Sequence, residues 1–204
     1  DLYTEHITLL NLDGQYQKAY DCIMGHTFHP WEGGEGKIPA QYRLALMGLA
    51  RAADDDTALA LLQQALTYPH NLGEGKLIGN LDNDLYEMIG ELYAKRGDTA
   101  RAEEAFRLAA RGNFDLTGAM YYNDQPPQMM YYAAKALAAL GETDEAKKRF
   151  AAFIDYAEAH RDDVMEIEYF AVSLPDFLIF EGDLNKNNRV HCCLMEALGA
   201  LGLG

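Results

Sequence analysis

The chain has 204 residues, 49% of them hydrophobic, which is enough for one extended core or two small ones. Its 17 basic and 32 acidic residues give a formal net charge of −15, which repels the phosphates of nucleic acids and of anionic membranes. No apolar run reaches the roughly 18 residues that a membrane-spanning helix needs. We therefore expect neither nucleic acid nor a membrane as a partner.

The three cysteines form a poor framework for disulfides, because the count is odd and two of them, Cys192 and Cys193, are adjacent. No spacing typical of a metal site accompanies them. We expect reduced thiols in a cytoplasmic protein, with no metal and no cofactor.

A repeated pattern begins at the first residue and accounts for residues 1–160. Four segments superimpose on a turn residue followed by an alanine-bearing helix: NLDGQYQKAYDCI, RAADDDTALALLQQA, KRGDTARAEEAFRLA and ALGETDEAKKRFAAF. The turn residues are Gly14, Ala53, Gly97 and Gly141. Each is followed by an alanine at the same distance: Ala19, Ala58, Ala102 and Ala146. A large apolar residue then follows: Ile23, Leu62, Phe106 and Phe150. The pattern predicts four units that start near residues 1, 39, 83 and 127.

This pattern resembles the tetratricopeptide repeat, a helix-turn-helix unit of about 34 residues. The third unit matches best, at Gly90, Tyr93, Gly97, Ala102, Phe106 and Ala109. The resemblance implies an all-α protein built as a right-handed superhelix of antiparallel helix pairs. Because the units here are longer than that repeat, we expect extended loops between them.

The pattern changes after residue 160. We predict an irregular insertion with a helix over residues 161–187, and the first helix of a truncated fifth repeat over residues 188–204. In that helix, Gly202 falls at the turn position. The chain starts at Asp1 and closes in an apolar helical pattern, so we expect a piece of a longer polypeptide.

The inserted loops are candidates for a site, because insertions in successive repeats emerge from one edge of the array. The first two share the letters GEGK, in FHPWEGGEGK (residues 28–37) and YPHNLGEGK (residues 68–76), and the third is NFDLTGAMYYNDQPPQ (residues 113–128). Neither GEGK loop fits a phosphate-binding loop, since no Ser or Thr follows the lysine. Candidate ligand- or partner-binding residues are His29, Trp31, Glu32, Glu35, Lys37, Glu74, Lys76, Tyr121 and Tyr122.

Two interpretations of these loops stay open. In the structural one, the glycines turn the chain and Lys37 or Lys76 pairs with a nearby carboxylate. In the functional one, the ring of Trp31 and the neighbouring carboxylates contact a ligand such as a sugar, whose C–H face stacks on aromatic rings. The functional interpretation predicts that the first two loops pack against each other around a common cleft.

The first helices of the units should line a concave surface. Repeat positions that face it are Arg43, Met47, Asp84, Glu87, Glu91, Gln128, Tyr131 and Lys135. Of these, Arg43 and Glu87 are candidate partner-binding residues. The mixed charge of the set favours neither a basic nor an acidic partner.

Two longer stretches, HPWEGGEGK and LPDFLIFEGDLNKNNRVHCCLMEALGALGLG, are similar to the C-terminal helical-repeat region of large bacterial multidomain proteins of uncertain, carbohydrate-related function. The resemblance carries over no catalytic residue. It implies an interaction scaffold that binds a protein partner or the upstream domains of the same polypeptide, and that is not itself catalytic. The alternative is a wall of a carbohydrate site that those upstream domains complete.

Overall fold

The computed structural model describes residues 2–30, 34–77, 79–116, 125–165 and 183–204. These residues form only helices, which confirms the prediction of an all-α chain for the part described. The nine α-helices there are α1 (Leu2–Leu12), α2 (Tyr16–Met24), α3 (Lys37–Ala52), α4 (Asp55–Ala65), α5 (Asn83–Lys95), α6 (Thr99–Ala109), α7 (Pro127–Ala139), α8 (Thr143–His160) and α9 (Leu184–Leu203). None of these helices has the length and apolar composition to cross a membrane.

The helices follow the repeat in their order and contacts. Helices α1, α3, α5 and α7 begin at or near the four predicted unit starts, and each packs against the even-numbered helix that follows it. Each even-numbered helix also packs against the next odd-numbered one. Odd-numbered helices meet directly in the pairs α1–α3, α5–α7 and α7–α9.

Three of the four predicted turns use glycine in the left-handed backbone region. The φ angles are 73°, 74° and 88° at Gly14, Gly97 and Gly141. The second unit turns differently, because Ala53 is extended and the side chain of Asp54 accepts hydrogen bonds from the first backbone N–H groups of α4. An N-cap therefore replaces the glycine turn where the sequence has alanine.

Small side chains allow the helices to approach closely. The four repeated alanines are at most 4% exposed, and the large apolar residues that follow them are also buried. Gly90 of α5 faces the ring of Phe106 so closely that a Cβ atom would lie 2.6 Å from a ring carbon. Gly48 of α3 meets the ring of Tyr16 in the same way, at 2.3 Å. The repeat thus specifies side-chain volume at each helix contact.

The last helix corrects the predicted boundary. Helix α9 begins at Leu184, before the predicted residue 188, because the Asp183 side chain caps it by accepting from the Lys186 N–H. It also runs through Gly202, which was predicted to be a turn. A Cβ there would lie 2.2 Å from the Phe150 ring, so this glycine permits close packing on α8. The helix predicted within residues 161–187 falls largely on residues 166–182, outside the described ranges.

We expect Gly90→Ala to lower the free energy of unfolding by ~1 kcal/mol or more, because overpacking costs about 1–3 kcal/mol and the gain in helix propensity is only about 1 kcal/mol. Urea unfolding measures the change. Gly75→Ala is the control, since a Cβ at Gly75 has no neighbour within 4 Å. Adding Phe106→Leu to Gly90→Ala should recover part of the loss. Unchanged stability in Gly90→Ala would contradict the tight contact.

Candidate functional site

The first two inserted loops pack against each other, as the sequence predicts. The backbone N–H of Phe28 donates to the Asn71 carbonyl at 2.8 Å, and the N–H of Gly36 donates to the Glu74 carboxylate at 2.8 Å. The Asn71 side chain returns two bonds, to the carbonyls of Ile23 at 2.8 Å and of His26 at 2.9 Å. The loops are therefore fixed to each other and to the end of α2.

A cavity of about 280 Å³ lies at this junction. Its lining combines apolar and polar side chains from both loops and from α1 and α3: Thr4, His26, Thr27, Phe28, His29, Pro30, Gly34, Lys37, Ile38, Leu72 and Glu74. Phe28, Ile38 and Leu72 are buried, whereas Thr27 and His29 are exposed. The cavity thus has an apolar floor and a polar rim.

Three predicted site residues line this cavity together: His29, Lys37 and Glu74. Glu35 lies half-buried in the turn before α3, next to the cavity but not in its lining. Predictions for Trp31, Glu32, Tyr121 and Tyr122 concern residues outside the described ranges. The structure therefore brings together part of the predicted set.

Lys76, the counterpart of Lys37 in the second GEGK loop, points to a different place. Its ammonium group pairs with the Asp82 carboxylate and donates to the Leu66 carbonyl at 2.8 Å. It also lies 5.8 Å from the centre of the Tyr68 ring. For this lysine the geometry matches the structural interpretation, in which a loop lysine pairs with a nearby carboxylate.

Asp82 belongs to a buried charge cluster that joins α3 to the start of α5. Arg43 donates one guanidinium nitrogen to Asp82 and the other to Asp84, the latter at 2.5 Å. All three residues are less than 10% exposed. Burial lowers the pKa of Arg43, but the attraction of Asp84 and Asp82 outweighs it and raises that pKa above its usual value. Asp82 has a φ of 50°, a left-handed conformation that is uncommon outside glycine.

A second charge cluster lies further along α5. Lys135 of α7 contacts both Glu87 and Glu91, the latter at 3.1 Å. Glu87 is 2% exposed, and this burial raises its pKa to about 7 even though the Lys135 ammonium acts in the opposite direction.

These clusters correct the expected concave groove. Five of its eight predicted lining residues are buried: Arg43, Met47, Asp84, Glu87 and Tyr131. Gln128 and Glu91 are exposed, and Lys135 is half-buried. The candidate partner-binding side chains of Arg43 and Glu87 are thus used in contacts between helices, because facing carboxylates and amines lie within reach across the repeats.

The sequence reasoning missed Asp82 and Asn71, which the structure places at the centre of the two polar regions. Asp82 directly precedes α5, where an Asp commonly caps a helix. That position was a signal for a polar role, but not for its partner Arg43. Asn71 had no comparable signal, because its bonds reach a distant part of the chain.

A scan against protein-family models and a search of solved structures found no match to this chain. The resemblance to tetratricopeptide repeats and to bacterial multidomain proteins therefore stays a prediction.

We expect Arg43→Met to lower the free energy of unfolding by about 3–5 kcal/mol, because it removes one member of a buried charge cluster and leaves two carboxylates behind. Lys95→Met is the matched control. It breaks a pair with Asp55 that has an N–O distance of 2.6 Å but an exposed lysine, so the loss should stay below about 1 kcal/mol. Similar losses in the two variants would contradict the role assigned to burial.

We expect Glu87 to make the fold less stable as pH rises. Its pKa is about 7 in the folded chain and has an ordinary value of 4.5, so the folded state binds more protons between these two values. The free energy of unfolding that this group contributes is greatest below pH 4.5 and is lost as pH rises through 7. Melting temperatures across this window should fall less steeply in Glu87→Gln than in the wild type. Glu91→Gln, which removes the exposed partner of the same lysine, should keep the wild-type slope; an unchanged slope in Glu87→Gln would contradict the assignment.

Proposed function

We propose that the chain is a helical-repeat interaction module, and that the cavity between its first two inserted loops receives an anchoring side chain of a protein partner or neighbouring domain. The observation that carries this proposal is the cavity itself. It has an apolar floor and a polar rim, and two successive repeats contribute to it. Such a combination is typical of the pockets that receive the dominant side chains of protein interfaces.

The size of the cavity favours a side chain over a larger ligand. Its 280 Å³ lies just below the roughly 300–1,000 Å³ of pockets that hold small molecules. One large aromatic or aliphatic side chain has a suitable volume. Its burial against Phe28, Ile38 and Leu72 would then supply the binding free energy, while the polar rim contacts the partner backbone.

The rigidity of the cavity supports the same proposal. Hydrogen bonds from Phe28 and Gly36 hold the two loops together. Gly73 adds to this fit, because a Cβ there would lie 2.5 Å from the Phe28 carbonyl oxygen. A preformed pocket binds more tightly than a flexible one, since less conformational entropy is lost on binding.

We further propose that the helix pairs wind into a right-handed superhelix of the tetratricopeptide type. Direct contacts between odd-numbered helices support this arrangement, because such contacts place the first helices of successive units side by side. An experimental structure that shows the helix pairs in a flat or left-handed array would refute it.

The alternative function is part of a carbohydrate site that upstream domains complete. Polar groups of His29, Lys37 and Glu74 near apolar surface favour it, since a sugar needs both kinds of contact. In this alternative the cavity is one wall of a larger site.

A phage-displayed library of random peptides, selected against the whole chain, tests the main proposal. We expect enriched peptides to share one large apolar side chain. Thr27→Trp places a bulky ring at an exposed position of the cavity rim, so it should weaken their binding at least about tenfold, which is about 1.4 kcal/mol. Thr143→Trp, at the exposed start of α8, is the control and should bind as the wild type does.

Two outcomes would count against the anchoring pocket: no enriched peptide, or equal affinity for the wild type and Thr27→Trp. Calorimetry with a panel of sugars on the full-length polypeptide distinguishes the alternative. Sugar binding that Thr27→Trp abolishes would favour the carbohydrate site.

A further inference from the structure

The outward face of α1 is apolar and exposed. The opposite face of this helix holds the buried Thr4, Ile7 and Asn11. Leu2 is 89% exposed and Leu9 is 63% exposed. At about 100° per residue, these two leucines lie about 160° and 140° around the helix from Thr4, which lines the cavity. The exposed face is therefore distinct from the cavity between the loops.

The repeat supplies three equivalents for each position of this face. For Leu2 they are Gln41, Leu85 and Met129; for His6 they are Ala45, Ile89 and Ala133; for Leu9 they are Gly48, Leu92 and Ala136. All nine are buried or half-buried, whereas Leu2, His6 and Leu9 are exposed. The same face is therefore covered in each of the three following units and open in the first.

The cover in the later units is the even-numbered helix of the preceding unit. Helix α2 packs on α3, α4 on α5, and α6 on α7. Gly48 of α3 meets the ring of Tyr16 of α2. Ala136 of α7 belongs to one apolar cluster with Ala102, Phe106 and Ala109 of α6. The covering helices thus define what chemistry fits this face.

The covering helices share a stripe in which a small residue, a large apolar residue and a second small residue follow at spacings of four and three. In α4 the stripe is Ala58, Leu62 and Ala65, and in α6 it is Ala102, Phe106 and Ala109. Helix α4 is the better template, because it covers three aliphatic positions of α5 and the α1 face also carries two leucines.

We propose that the α1 face formed by Leu2, His6 and Leu9 binds an amphipathic helix of a partner protein that carries this small–large–small stripe. A second copy of the chain is a poor source of such a helix, since the stripes of α4 and α6 are at most 7% exposed. The proposal rests on the equivalence of the repeats and not on the cavity, so each of the two binding surfaces can fail without the other.

A peptide of residues 54–66, the α4 sequence, is the probe. Because a helix of this length is marginal in water, a lactam between Asp56 and the lysine of Ala60→Lys fixes it, and both positions are exposed in α4. Fluorescence anisotropy with the whole chain at about 0.15 M salt screens the repulsion between two acidic molecules. We expect saturable binding that Leu62→Ser in the peptide removes.

Variants of the chain locate the binding surface. Leu9→Lys should weaken binding at least about tenfold. Leu12→Lys is the matched control on the same helix and should leave it unchanged. Leu12 is 75% exposed, and its equivalents Arg51, Lys95 and Ala139 are exposed as well, so it lies outside the covered face.

Three outcomes would overturn the proposal. The first is no saturable binding of the lactam peptide at millimolar concentration. The second is equal affinity for the wild type and Leu9→Lys, which would place the peptide elsewhere. The third is a wild-type dimer that Leu9→Lys converts to a monomer in light scattering, which would make a second copy the occupant.

Discussion

The structure depends on one steric constraint: each even-numbered helix packs between two odd-numbered ones, so its apolar stripe must fit two neighbours at once. A large residue on both sides would hold the helices too far apart to bury the backbone between them. The alanines of the stripe meet this constraint at every repeat. Where a ring intrudes, as Phe106 does, the facing residue is a glycine, Gly90. Packing volume is therefore distributed between neighbouring helices and is not a property of either helix alone.

The same stacking explains why the first two loops form a cavity. Both leave the ends of even-numbered helices, α2 and α4, and both must reach the start of the next odd-numbered helix. They consequently run beside each other, and Asn71 and Glu74 bond to the first loop where it passes. A cavity remains at this junction, because the loops are joined through their backbones while their side chains diverge toward solvent.

The sequence predicted the helices and their order because the period of small and large residues is a local property that one unit reveals and the next repeats. It did not predict what each polar group meets. The two GEGK segments have the same letters, yet Lys37 starts α3 beside the cavity while Lys76 pairs with the buried Asp82. Their difference arises from residues far away in sequence. Gly202 was misread for a related reason: a glycine that ends a helix and a glycine that admits a ring look the same in a sequence.

The junction between the second and third units shows how charge takes over where packing is weak. Odd-numbered helices meet broadly in three pairs, but α3 and α5 are not one of them. Here the longer second loop intervenes, and Arg43 spans the gap to Asp82 and Asp84. Apolar contact tolerates small rotations, whereas a two-pronged guanidinium bond fixes direction as well as distance. The left-handed backbone of Asp82 fits this requirement, since it turns the carboxylate toward the arginine at the point where α5 begins. The orientation of the two halves of the repeat is thus set by an ion-pair geometry, and the residues that would otherwise line an open groove are consumed in setting it.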